Sequence, residues 1–210
     1  MSPLNPIVDV DACARAAVAP LDLLQACLDA GATFIQLRAK SLESGAFLRL
    51  SEAAVALAAP FGGQIIVNDR VDVARLAGAA GVHVGQDDLP PSAARTILGA
   101  AAIVGYSTHT LEQADAALRE PVTYIAVGPV YGTRSKDTGY DAVGLDLVRA
   151  VSRRAGPVPV VAIGGITLDT AGAVLDAGAT SVAIIGDLYA TGDPRARVAA
   201  YLQVLSRHRV

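Results

Sequence analysis

This chain has no tryptophan, one methionine and two cysteines. Cys13 and Cys27 show neither metal-ligand spacing nor a disulfide framework, so they read as small buried thiols. Lysine is equally scarce: Lys40 and Lys136 stand against fifteen arginines. With a net charge of −3 and no basic stripe, nothing suggests a nucleic-acid surface. Long apolar runs are also missing. The most apolar stretch, Ala53 to Val67, is broken by Pro60, Gly62, Gly63 and Gln64, and a membrane span needs ~20 unbroken apolar residues. The opening MSPLNPIVDVD lacks the basic and apolar regions of a signal peptide. A soluble cytoplasmic protein with no membrane partner is the expectation. No linker, charge run or low-complexity tract divides the 210 residues, which read as one domain spanning 1–210.

What is present is small and branched apolar material, 52% of the chain by the broad count, enough for a large core. Short apolar runs recur, and seven of them stop at polar or glycine-rich clusters. FIQL meets Arg38-Ala39-Lys40; IIV meets Asn68-Asp69-Arg70; VHV meets Gly85-Gln86-Asp87-Asp88. IVGY meets Ser107-Thr108-His109, and YIAV meets Gly128-Pro129 and then Thr133-Arg134-Ser135-Lys136. VVAI meets Gly164-Gly165, and VAII meets Gly186-Asp187. Continuous rather than alternating runs suit strands buried on both faces.

Helical segments fall between these runs. The reading places strands at Pro6–Val10, Thr33–Leu37, Gln64–Val67, Gly81–Val84, Ala102–Gly105, Thr123–Val127, Pro159–Ile163 and Thr180–Ile184. The αβ returns repeat DAGAT at Asp29 to Thr33 and at Asp176 to Thr180, where glycine fits a left-handed helix cap. Thr110 with Gln113 makes a capping-box pattern. Eight β-then-α units, with no glycine-rich loop after the first strand, favour an α/β fold of the closed (β/α)8 TIM-barrel type over an open doubly wound sheet. Polar clusters at the strand ends then mark the active-site face.

Both lysines fall in those clusters although arginine is the general surface cation. A lysine ammonium grips phosphate oxygens as a compact charge. Gln36, Arg38 and Lys40 alternate by one residue and share a strand face, which suits a polyanion; the same spacing could point to solvent. Asn68-Asp69 and Asp87-Asp88 end neighbouring strands beside these cations. Two such carboxylates with substrate phosphates suit Mg²⁺, although Asp69 could instead pair with Arg70 or cap the following helix, and Asp87 or Asp88 could cap the helix at Pro90. Gly164-Gly165 and Ile185-Gly186 fit a second anion site built from backbone N–H groups at a short helical turn, since no Lys or Arg follows Ile163 until Arg195. His83, inside a strand, reads as a packing residue. His109 could contact a ligand or cap the helix that follows it.

In this order, QLRAK, IVNDR, GVHVGQDD, GYSTH, IAVGPVYGTRSKDT, VVAIGGI and VAII resemble the motifs of the thiamine-phosphate synthase family over roughly Phe34 to Ala190. The resemblance implies a (β/α)8 barrel transferase that joins a hydroxymethylpyrimidine pyrophosphate to a thiazole phosphate and releases pyrophosphate with Mg²⁺. It implies that Gln36, Arg38, Lys40, Asn68 and Lys136 hold the pyrophosphate and that Asp69 and Asp88 bind the metal. Ser107 would contact the pyrophosphate or the developing pyrimidine cation. Thr133, Ser135, Gly165, Ile185 and Gly186 would hold the thiazole phosphate. Its partners would be these small molecules, with room for a homodimer. The chain departs from the family pattern in having no aromatic residue in NPIVDVD, and in Gly132, Ser135 and Gly186, which stand where Pro, Thr and Ser are common. Two other readings are a thiazole tautomerase of the same superfamily and a non-catalytic barrel that binds a phosphorylated ligand. Pro129 and the Asp69/Asp88 pair speak for the synthase.

Overall fold

The computed structural model describes residues 1–132 and 141–208. Strand β1 (Leu4–Asp9) leads into α1 (Val10–Arg15) and α2 (Pro20–Asp29). Then come β2 (Phe34–Arg38), α3 (Ser44–Ala58), β3 (Gln64–Asn68), α4 (Val71–Leu76), β4 (Gly81–Val84) and α5 (Pro91–Leu98). They are followed by β5 (Ile103–Thr108), α6 (Leu111–Ala117), β6 (Tyr124–Val127), α7 (Gly144–Ala155), β7 (Val160–Ile163), α8 (Leu168–Asp176) and β8 (Ser181–Ile184). A 3₁₀ turn, Gly186–Tyr189, and α9 (Pro194–Ser206) come last. Each strand pairs in parallel with the next, and β8 pairs back onto β1, closing the barrel.

Closure explains the unbroken apolar runs. Side chains alternate across a strand, yet both faces here are dry. Ile7, Phe34, Ile66, Tyr124, Val161 and Ala183 fill the barrel interior. Val8, Leu37, Val67, Val82, Ile125 and Val182 point outward, into one core with helix residues such as Leu23, Phe47 and Val148. The DAGAT returns behave as read: Gly31 (φ 95°) and Gly178 (φ 100°) take the left-handed conformation just beyond α2 and α8. Cys13 and Cys27 are free and buried. No described helix is long and apolar enough to cross a membrane.

Three local readings change. β1 starts earlier than Pro6, and α1 follows it because the Asp9 carboxylate accepts from the Ala12 amide at 2.7 Å and caps a helix there. β5 runs on to Thr108, so Ser107 belongs to a strand rather than to the loop after it. At α6 the Thr110 hydroxyl accepts from the Gln113 amide at 3.2 Å, as the capping pattern predicts. The returning bond, however, goes from the His109 amide to Gln113 Oε1, one residue before the cap.

Candidate active site

The C-terminal ends of the strands surround a cavity of about 290 Å³. Its apolar wall includes Ile7, Ala126, Val161, Ile163 and Ala183. Gln36, Arg38, Asn68 and Ser107 line one side of it; Gly165, Ile185 and Gly186 line another. Tertiary structure thus brings together all of these residues expected at the site. Thr133, Ser135 and Lys136 lie outside the described residues.

Arg38 ends β2, and its guanidinium donates to Asp9 at the end of β1. The register places these two residues directly opposite each other. Asp9 is 1% exposed; one carboxylate oxygen caps α1 and the other receives Arg38. This buried carboxylate was missed in the sequence, where β1 offered no polar cluster. It clamps one edge of the guanidinium fork so that Arg38 stands in a set orientation at the rim.

Lys40 pairs with Asp69 just beyond β3. Asp69 has φ 63°, unusual for a residue other than glycine, and its carboxylate meets Lys40 and Asp88 there. Burial raises the Asp69 pKa above the ordinary carboxylate value; Lys40 opposes the rise, and the adjacent Asp88 carboxylate adds to it. Asp88 Oδ2 accepts from the Gly85 amide at 2.7 Å. The alternatives raised by the sequence are not realised: Arg70 pairs with Asp72, and Pro90, not an aspartate, occupies the cap position of α5. Two adjacent carboxylates, one of them paired with a lysine, form a donor set suited to a hard divalent cation that also takes substrate oxygens. Among the described residues no group of three or more His, Cys, Asp or Glu side chains could hold a metal on its own.

The barrel interior holds a polar chain that the sequence reading did not assign. His83 Nδ1 lies 2.9 Å from the Tyr124 hydroxyl, and its Nε2 lies 2.8 Å from Ser107 Oγ. The two rings stack at 5.5 Å. Burial raises the Tyr124 pKa, and the Gln36 side chain beside the hydroxyl partly offsets this. Gly105 makes the arrangement possible: a Cβ there would lie 2.1 Å from Tyr124 Cζ. His83 is therefore buried, as a packing residue would be, but it also faces the cavity. The available signal was parity. Gly81, His83 and Gly85 alternate with the outward Val82 and Val84, so a polar ring was due inside the barrel. His109 Nδ1 lies 2.6 Å from the Gly128 carbonyl oxygen, again at the cavity wall.

The β7–β8 side is made differently. Gly165 has φ 62°, and a Cβ on it would stand 2.5 Å from the Gly132 carbonyl oxygen and 2.8 Å from Tyr131 Cβ. The 3₁₀ turn Gly186–Tyr189 follows β8 directly. Asp187 on this turn accepts from Arg197 Nε at 3.0 Å and Nη2 at 2.8 Å, and from the Tyr201 hydroxyl. A cation thus does reach this side, from α9, but it arrives already paired. Burial and the Asp187 carboxylate both raise the Tyr201 pKa.

Comparison with known proteins agrees with this arrangement. The family model described as thiamine monophosphate synthase matches residues 4–188. A thiamine-phosphate synthase of Roseiflexus castenholzii is 43% identical over 187 residues, covering 89% of this chain and 82% of the relative. One from Anaeromyxobacter dehalogenans is 44% identical over 180 residues, covering 86% and 80%. The solved structure of a thiamine phosphate pyrophosphorylase from Pyrococcus furiosus superposes with a TM-score of 0.88 at 28% identity, covering 99% of this chain and 96% of that one. Sequence, barrel and the ordered strand-end clusters agree, and this chain belongs to the thiamine monophosphate synthase family.

Proposed function

We propose that this barrel joins a hydroxymethylpyrimidine pyrophosphate to a thiazole phosphate, giving thiamine phosphate and pyrophosphate. The observation that carries the reading is the division of the cavity rim. Arg38 lines the cavity at the end of β2, with Lys40, Asp69 and Asp88 clustered just beyond β2, β3 and β4 and outside its lining; Gly165, Ile185 and Gly186 line it after β7 and β8, and apolar residues such as Val161, Ile163 and Ala183 line it as well. Such a site takes two anionic ends and one uncharged reacting centre.

Arg38, Lys40 and Asn68 hold the pyrophosphate, and Lys136, beyond the described residues, is assigned to the same group. Asp69 and Asp88 would hold Mg²⁺, which when bound supplies divalent charge to pyrophosphate oxygens. The C–O bond breaks with its electron pair leaving on pyrophosphate. The electron-rich aminopyrimidine carries the resulting methylene cation, and the thiazole nitrogen lone pair forms the new C–N bond. No proton need move, so no general base is needed; the side chains position the reactants and balance charge. Backbone N–H groups at Gly165, Ile185 and Gly186, with the hydroxyls of Thr133 and Ser135, hold the thiazole phosphate. Gln36 joins the pyrophosphate group, and Ser107 contacts either the pyrophosphate or the developing pyrimidine cation. The protein would work on these small molecules in the cytoplasm as a single barrel domain, without nucleic-acid or membrane partners.

The test is direct. Both phosphorylated substrates are mixed with the protein, with and without Mg²⁺, and thiamine phosphate and pyrophosphate are measured. Equal amounts of both products, formed only with Mg²⁺, are expected. Pyrophosphate release without coupled product would overturn the reading.

A further inference from the structure

We propose that Tyr124 and His83 are positioning residues that turn the Ser107 hydroxyl into a hydrogen-bond donor aimed into the cavity, toward the leaving pyrophosphate. This rests on the functional reading above and decides between the two roles that reading left to Ser107.

The geometry sets up a one-way chain. His83 lies between two hydroxyls, with Tyr124 at 2.9 Å on Nδ1 and Ser107 at 2.8 Å on Nε2. A neutral imidazole carries one N–H and one lone pair, and the bond at one nitrogen decides what the other presents. The two hydroxyls are not equivalent. A phenol is a stronger donor than an aliphatic alcohol, and the alcohol oxygen is the better acceptor. Tyr124 therefore donates to Nδ1, and Nε2–H donates to Ser107 Oγ.

Ser107 lines the cavity and is barely exposed. With its oxygen occupied by Nε2–H, its own proton is directed into the cavity. A hydroxyl in that state stabilises negative charge. The opposite polarity would offer lone pairs to a cation. The ring geometry holds the chain in place: Tyr124 stacks on His83, meets Phe34 edge-on at 5.8 Å, and fills the space left by Gly105. Neither Tyr124 nor His83 needs to touch the substrate for this to work.

Tyr124→Phe keeps the ring and deletes only the hydroxyl. It should lower kcat by roughly tenfold, less than the ~100-fold or more that loss of a direct donor costs in Ser107→Ala. KM for the thiazole phosphate should not change. In a Ser107→Ala background, Tyr124→Phe should have no further effect on kcat, because the group it polarises is gone. His83→Gln keeps an N–H near the Nε2 position and should retain more activity than His83→Leu, a comparison that stands even if Tyr124→Phe folds poorly. Independent, multiplicative losses from Tyr124→Phe and Ser107→Ala would overturn the relay. So would an unimpaired Tyr124→Phe, or equal activity in the two His83 variants. A wild-type protein that makes no thiamine phosphate would instead overturn the functional reading itself, and the relay with it.

Discussion

At the β2–β4 edge of the barrel mouth the charges are side chains: Arg38 locked to buried Asp9, and Lys40 against Asp69 with Asp88 adjacent. At the β7–β8 edge the described groups are mainly backbone at Gly165, Ile185 and Gly186, and the side-chain ions described beside them, Asp187 and Arg197, pair with each other. The first edge suits an anion that must depart with growing negative charge, because charged donors strengthen their hold as charge develops. The second suits a phosphate that only anchors its ring, since N–H groups bind without adding net charge. The two edges also differ in fragility. The charged edge depends on ion pairs taken partly out of water, whereas the backbone edge depends on space that only glycine leaves open.

Breaking the charged edge at its base should have the largest effect. Arg38→Ala removes the guanidinium and strands Asp9 as a buried unpaired carboxylate. Folding free energy should fall by about 3–5 kcal/mol in denaturant titration, and turnover by on the order of 10²–10³ at saturating substrate. A stable variant with normal turnover would remove Arg38 from the site. Next comes the backbone edge. Gly165→Val places a side chain against Gly132 and Tyr131 at φ 62°, with a strain of roughly 1–3 kcal/mol. Calorimetric titration should show thiazole phosphate binding lost and pyrimidine pyrophosphate binding retained. The opposite pattern would mean the two edges have been assigned in reverse.

Asp69→Asn sharpens the comparison more gently. It should raise the Mg²⁺ concentration for half-maximal rate by roughly tenfold, and full activity in excess chelator would exclude the metal. Stability gives a second readout. The Asp69 pKa is raised by burial, so in the metal-free protein the carboxylate favours folding most below its unfolded pKa of about 3.9, and that advantage is lost as pH rises through the folded value. Metal-free Asp69→Asn should therefore be at least as stable as wild type at neutral pH, with the margin shrinking on acidification. The smallest effect is expected for Gly186→Ser. It adds a hydroxyl without removing the N–H, so thiazole phosphate affinity should stay within about twofold, as for other changes that disturb no buried group.

Much of this molecule is written in local pattern. Runs such as FIQL and VVAI, interrupted by glycine-capped helices, announce buried parallel strands, and the observed strands match them to within a few residues. Arg38, Asn68, Ser107 and Gly165 stand at strand ends, so one barrel face gathers them whatever the detailed register. Asp9 and His83 were less legible because nothing near them in the chain explains them. One looked like part of a weak first strand and the other like core.

Local alternation, turn glycines and the rarity of lysine are short-range properties, and they sufficed to specify a parallel (β/α)8 barrel and to place polar groups at its mouth. Pairing between strands is another matter, because it depends on register and on closure. Asp9 meets Arg38 only because β1 and β2 align them. Tyr124 reaches His83 only across the gap left by Gly105. Arg197 finds Asp187 only because α9 packs back against the 3₁₀ turn. Such contacts join residues distant in sequence through burial and steric fit, which no local pattern encodes. The folded barrel alone therefore decided which charges are paired and which groups face the cavity.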